Sequence, residues 1–111
     1  MNDKLKITLA QLNPTLGDIE GNLNLLRVAR SKARGSDLLV SGELMVSGYP
    51  PEDLVMKPSF MDAIEHQVQE FAGETGDGGP AVLIGTPWRD NGNLYNAALL
   101  LMEGRVEATC F

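Results

Sequence analysis

Glu43 is the side chain of this sequence best placed to move a proton. It follows Leu38-Leu39-Val40-Ser41, a short continuous apolar run of the kind found in buried parallel strands. Open α/β sheets bind ligands in the crevice outside the carboxyl ends of such strands. A carboxylate enclosed there, beside Leu44, Met45 and Val46, can act as a general base. The competing reading is an acid at a strand exit that faces water or caps a turn. Behind it runs Ser47-Gly48-Tyr49-Pro50-Pro51-Glu52-Asp53-Leu54. Gly48 permits a positive φ and the two prolines stiffen the loop, as the wall of a pocket requires. A merely rigid surface loop would read the same way.

The other reactive side chains are less well set. Cys110 lies within a strand pattern after a turn, not at a helix N-terminus that would activate a thiol, so a small buried hydrophobe is expected there. His66 falls off the apolar stripe of its helix and is expected in solvent. Glu52 and Asp53 have no histidine or cysteine nearby in sequence to complete a metal site. The glycines from Gly76 to Gly79 lack Gly-x-Gly-x-x-Gly spacing and precede a strand, so they do not form a phosphate cradle. Arg27, Arg30, Lys32 and Arg34 crowd the end of a helical segment, where they complement the helix dipole. A nucleic-acid patch is the sharper but less favoured reading of that cluster.

The elements that carry these residues alternate. Lys6 to Leu12 shows the period of a half-buried strand, and Asn13-Pro14-Thr15-Leu16-Gly17-Asp18 is turn chemistry. A helix is predicted from near Asp18 to just before Gly35. Its stripe is Ile19, Leu23, Leu26, Ala29, Arg30 and Ala33, widened by Leu25 and Val28. After the strand at 38–41 and the proline loop, Ser59 is expected to cap a second helix, with Asp62 as its capping-box partner. Phe60, Ile64, Val68, Phe71 and Ala72 form that helix's stripe. Strands follow at 81–85, 93–102 and 105–111, the last two joined by a tight turn at Glu103-Gly104. Alternation at the front and a hairpin at the back predict an α/β fold with a mixed sheet. The final strand, with no helix or tail behind it, leaves an edge and a face uncovered. The segment is therefore expected to be part of a larger domain.

Length and composition bound the remaining choices. One hundred and eleven residues make at most one domain, and 43% hydrophobic with 22% charged is a globular balance. A formal charge of −6 offers no basic excess for nucleic acid, and 5% aromatic residues leave few stacking platforms. One cysteine cannot form an internal disulfide, which fits a reducing compartment. The opening Met1 to Lys6 has mixed charge and no signal-like apolar stretch. The longest apolar run, Ala97 to Met102, falls far short of the ~20 residues of a membrane span. A cytoplasmic chain is expected, without membrane or nucleic-acid partners.

Several of these stretches resemble the nitrilase-type carbon–nitrogen hydrolases. Ile7 through Asn13-Pro14-Thr15-Leu16-Gly17-Asp18-Ile19, with Asn22, is similar to the opening of that family. Asn13-Pro14 with Gly17-Asp18, and Glu43-Leu44 with the Ser47–Leu54 loop, look like the glutaminase domain of its glutamine-dependent NAD synthetase subgroup. Leu83-Ile84-Gly85-Thr86-Pro87, Leu94-Tyr95-Asn96-Ala97-Ala98 and Gly104-Arg105-Val106 resemble the family's middle strands. The likeness spans nearly the whole chain, and the Pro-Pro-Glu-Asp loop is specific for the subgroup. It implies the N-terminal part of an α/β/β/α sandwich, with residues 4–111 a partial carbon–nitrogen hydrolase domain. It also implies a Glu–Lys–Cys triad in which cysteine attacks the glutamine amide, glutamate relays protons and lysine steadies the oxyanion. Ammonia would then pass to a synthetase domain that uses ATP and Mg to amidate deamido-NAD, in a homo-oligomer of the longer protein.

Of that triad only the glutamate transfers, to Glu43. The lysine is expected just after the last strand and the cysteine further on, and Cys110 is outside its motif. No cofactor site is implied within the segment. Many relatives carry proline before the glutamate, where this chain has Gly42. The isolated chain is accordingly expected not to hydrolyse glutamine. Two alternatives remain open: another nitrilase-type amidase acting on a small amide, and a non-catalytic remnant that serves as an assembly element.

Overall fold

A computed structural model describes residues 4–111, so the Met1-Asn2-Asp3 opening lies outside the described residues. Strand β1 (Ile7–Leu9) leads through the Pro14 turn into helix α1 (Ile19–Lys32), and β2 (Leu38–Val40) follows. The proline loop then contains a 3-10 turn over Glu52–Met56 before helix α2 (Pro58–Glu74). A second 3-10 turn (Thr75–Asp77) precedes β3 (Ala81–Asp90), β4 (Asn93–Met102) and β5 (Arg105–Cys110). The strands form one sheet in the order β1-β2-β3-β4-β5. The first three are parallel and the last two antiparallel to their neighbours, so the fold is α/β with a mixed sheet.

Both helices pack on one face of the sheet. Leu23 and Leu26 of α1 and Ile64, Val68 and Phe71 of α2 are fully buried, against Leu39, Val82, Ile84, Leu99 and Leu101. Fully burying such a side chain contributes roughly 1.5–3 kcal/mol, which makes this layer the main source of stability. The described residues thus build one helix layer on one sheet. The opposite sheet face is apolar and open, with Ile7, Leu9 and Phe111 exposed and Val40, Leu83 and Leu100 half-buried.

Several local expectations are corrected. Strand β1 is shorter than its pattern, because pairing with β2 covers only Ile7 to Leu9. Its apolar residues lie on the open face, and Thr8 turns inward. Leu25 and Val28 do not widen the stripe of α1 but are exposed, whereas Asn22 is buried. Ser59 does not cap α2: the helix begins at Pro58 after Lys57, without a side-chain cap. Proline suits that first position, since its missing N–H would have no helical partner there. Strand β3 continues past Gly85 to Asp90 because Asn91-Gly92, both at positive φ (50° and 80°), folds it into a hairpin with β4. Asp18 does cap α1, accepting the Gly21 N–H at 3.0 Å.

The basic cluster acts partly as ties to the 3-10 turn after α2. Buried Arg30 donates to both carboxylate oxygens of Asp77 (2.7 and 3.0 Å) and to the Pro80 carbonyl (2.8 Å). Arg27 pairs with Glu74 and lies over the Phe71 ring.

Candidate active site

Glu43 stands at the carboxyl end of β2, as its place in the sequence predicts, in a turn that folds back over β3. The approach is set by Gly85. A β-carbon there would lie 2.5 Å from the Gly42 carbonyl oxygen, 2.6 Å from the Leu44 nitrogen and 2.9 Å from the Glu43 α-carbon. Only a residue without a side chain lets the Glu43 backbone rest on the strand at this point. The Val46 N–H then bonds the Gly85 carbonyl at 3.2 Å, and Ser41 N–H bonds the Leu83 carbonyl at 3.0 Å. Leu44, directly after the glutamate, takes a left-handed φ of 52°. That conformation costs a non-glycine residue about 1–2 kcal/mol and persists here because the Leu44 side chain is buried.

A second set of contacts locks this turn to the loop before α1. Asn22, 1% exposed, donates from Nδ2 to the carbonyls of Thr15 (2.8 Å) and Val46 (2.9 Å). Its Oδ1 accepts the Thr15 N–H at 2.7 Å. Gly17 N–H reaches the Ser47 carbonyl at 2.8 Å. Gly48, at φ 79°, lies so close to Leu16 that a β-carbon would meet its α-carbon at 2.8 Å. The Asn-Pro-Thr-Leu-Gly-Asp turn and the glutamate turn therefore form one clamped unit.

The Glu43 side chain lies on the open face of the sheet and is exposed, not enclosed by Leu44, Met45 and Val46, which turn into the core. Its Oε1 accepts a hydrogen bond from Asn96 Nδ2 on β4 at 2.5 Å. Gly85 and Ala98, opposite each other in the β3–β4 ladder, make a low floor beside it, and Cys110 is the next partner of Ala98 on β5. These residues line a cavity of about 300 Å³ with Glu43 and Asn96 in its wall. A second, apolar recess of about 210 Å³ on the other side of Asn96 is bounded by Leu44, Pro51, Val55, Leu94 and Tyr95. The stiff proline loop does form a pocket wall.

Cys110 corrects its sequence reading. It is a free, exposed thiol in the glutamate cavity and not a buried hydrophobe, because among the described residues β5 is the sheet edge and nothing packs on its open face. His66 is exposed beside Glu70, and Glu52 and Asp53 are exposed as expected. Among the described residues no three His, Cys, Asp or Glu side chains gather to hold a metal ion. No helix among them is long and apolar enough to cross a membrane. A lone glycine inside a strand signals the close backbone approach at Gly85, whereas no residue near Asn96 in sequence marks its contact with Glu43.

The carbon–nitrogen hydrolase family model matches residues 6–107, and the chain belongs to that family. It is 49% identical over 107 residues to glutamine-dependent NAD(+) synthetase of Thermotoga maritima, covering 93% of this chain and 18% of that protein. Among solved structures, glutamine-dependent NAD(+) synthetase from Acinetobacter baumannii in complex with ADP superposes with a TM-score of 0.85. It is 28% identical, over 96% of this chain and 20% of that one. A variant of the amidase from Nesterenkonia sp. AN1 in complex with butyramide superposes with a TM-score of 0.76. It is 25% identical, over 95% of this chain and 41% of the amidase. The chain thus spans about a fifth of the length of the synthetases it matches.

Proposed function

We propose that this chain supplies the general base, and the layer that positions it, for hydrolysis of the glutamine side-chain amide, with the released ammonia used in ATP-dependent amidation of deamido-NAD. The observation that carries this reading is Glu43: at the end of a parallel strand, seated on Gly85 and bonded to Asn96, in a chain half identical to a glutamine-dependent NAD(+) synthetase. In this reading a cysteine thiol from beyond Phe111 attacks the amide carbon and Glu43 takes its proton. Glu43 returns that proton to nitrogen as ammonia leaves, giving a thioester. Water then attacks the thioester, Glu43 again accepts a proton, and the thiol is regenerated with glutamate as product. A lysine steadies the tetrahedral oxyanion.

The ATP and Mg step is not assigned to this chain. Gly76 to Gly79 link α2 to β3, and Asp77 there is engaged by Arg30 and the Gly79 N–H. Asp77 thereby ties the linker to α1.

The test is ammonia release from glutamine by the longest polypeptide encoded with this segment. Glutamine turnover that falls about 10²–10⁴-fold in Glu43→Gln supports the reading. Turnover of butyramide with none of glutamine would favour a small-amide amidase. For the isolated 111 residues, no ammonia above a Glu43→Gln control is expected, since thiol and amine are not supplied in the family's motifs.

A further inference from the structure

We infer that Asn96 is a positioning residue that divides the work of the two Glu43 oxygens, an inference that rests on the reading of Glu43 as the base. Asn96 Nδ2 donates to Oε1, and Oε2 has no hydrogen-bond partner among the described residues. One oxygen is thereby held, and on this inference the reacting proton goes to the other.

The chemistry of the donor matters as much as its place. A primary amide donates a hydrogen bond while having no proton to give up and no charge near neutral pH. It can therefore hold a carboxylate without acting as a rival acid. A lysine or histidine at this position would add a titrating group to the cavity. The bond is charge-assisted on the acceptor side, which makes it stronger than a neutral pair.

The scaffold gives Asn96 the rigidity that this role needs. It sits midway along β4, paired with Pro87 in a ladder that runs from Val82–Leu101 to Asp90–Asn93. Its neighbour Ala97 is buried on the helix side, which fixes Asn96 on the face that carries Glu43. The low Gly85–Ala98 floor leaves room for the glutamate side chain to cross from β2 toward β4. Glu43 is thus held at both ends: its backbone by β3 and its carboxylate by β4.

Two measurements test this. In the chain itself, the Asn96 side-chain amide signals in a ¹H–¹⁵N spectrum should move more on Glu43→Gln than those of any other asparagine. In the longest encoded polypeptide, Asn96→Leu, similar in volume but unable to donate, should lower kcat for glutamine about 10- to 100-fold. KM should stay within about threefold, because an interaction acting through the base contributes to the chemical step. Asn96→Gln, which keeps the donor, should recover part of kcat, and Asn96→Asp should not. Unmoved amide signals overturn the assignment while leaving Glu43 untouched. A raised KM at constant kcat makes Asn96 a substrate contact and overturns it too. Undiminished turnover in Glu43→Gln, or none in the unaltered protein, overturns the reading of Glu43 and the assignment with it.

Discussion

Replacing Gly85 by alanine puts one methyl group between β3 and the turn that carries Glu43. The added carbon would lie 2.5 Å from the Gly42 carbonyl oxygen and 2.6 Å from the Leu44 nitrogen. Ordinary non-bonded separation is about 3.5–4.0 Å, so the glutamate turn must retreat by about 1 Å. No side-chain rotation relieves this, since the three nearest atoms are all backbone. Forcing a methyl into a packed site costs about 1–3 kcal/mol. At about 4–8 °C per kcal/mol for a domain of this size, about 2 kcal/mol lowers Tm by about 8–16 °C. A 1 Å displacement of a reacting group costs about 100-fold in turnover. Thermal unfolding of the chain and glutamine turnover of the longest encoded polypeptide check both figures. Gly73→Ala is the control, because its methyl meets nothing within 4 Å and lies in the last turns of α2. It should hold or raise Tm, by up to about 1 kcal/mol of helix propensity. Gly85→Ala with unchanged Tm and unchanged turnover would refute the close-approach argument.

Other outcomes follow from the same contacts. Asn22→Ala leaves the buried Val46 carbonyl and the Thr15 N–H without their partner and should cost about 2–4 kcal/mol, read as a lower urea midpoint; an unmoved midpoint would show that the clamp is not needed. The hydrogen bonds from Arg30, and then from the Gly79 N–H, hold the Asp77 carboxyl well below the usual carboxylate range. A depressed folded-state value adds stability above the usual range that is lost on acidification, so stability should fall more steeply below about pH 4 in the parent chain than in Asp77→Asn. Equal slopes in acid denaturation would remove Asp77 from that account. Cys110 should be alkylated by iodoacetamide in the folded chain at nearly the rate seen in urea, and protection would place it in the interior.

What the sequence disclosed depended on how local the cause was. The order of strands and helices, the mixed sheet and the place of Glu43 all follow from hydrophobic period and from turn residues such as Glu103-Gly104, which act within a few positions. The Asn91-Gly92 turn is just as local, and it is what carries β3 past the expected end at Gly85 to Asp90. The exposure of Glu43, Ile7, Leu9 and Cys110 was hidden for a different reason. Apolar character predicts burial only when something covers the face, and the open side of this sheet has no layer on it among the described residues. Asn22, Gly85 and Asn96 act over longer separations. Their parts arise from contacts between residues 24 to 53 positions apart, or from a backbone crossing, which no window of sequence displays.

The measurement that bears most directly on the central claim is glutamine-dependent against ammonia-dependent NAD formation in the longest encoded polypeptide, before and after Glu43→Gln. Glu43→Gln should lower the glutamine-dependent rate by at least about 100-fold and leave the rate with free ammonia unchanged. Glutamine-dependent formation that survives the substitution would contradict Glu43 as the base.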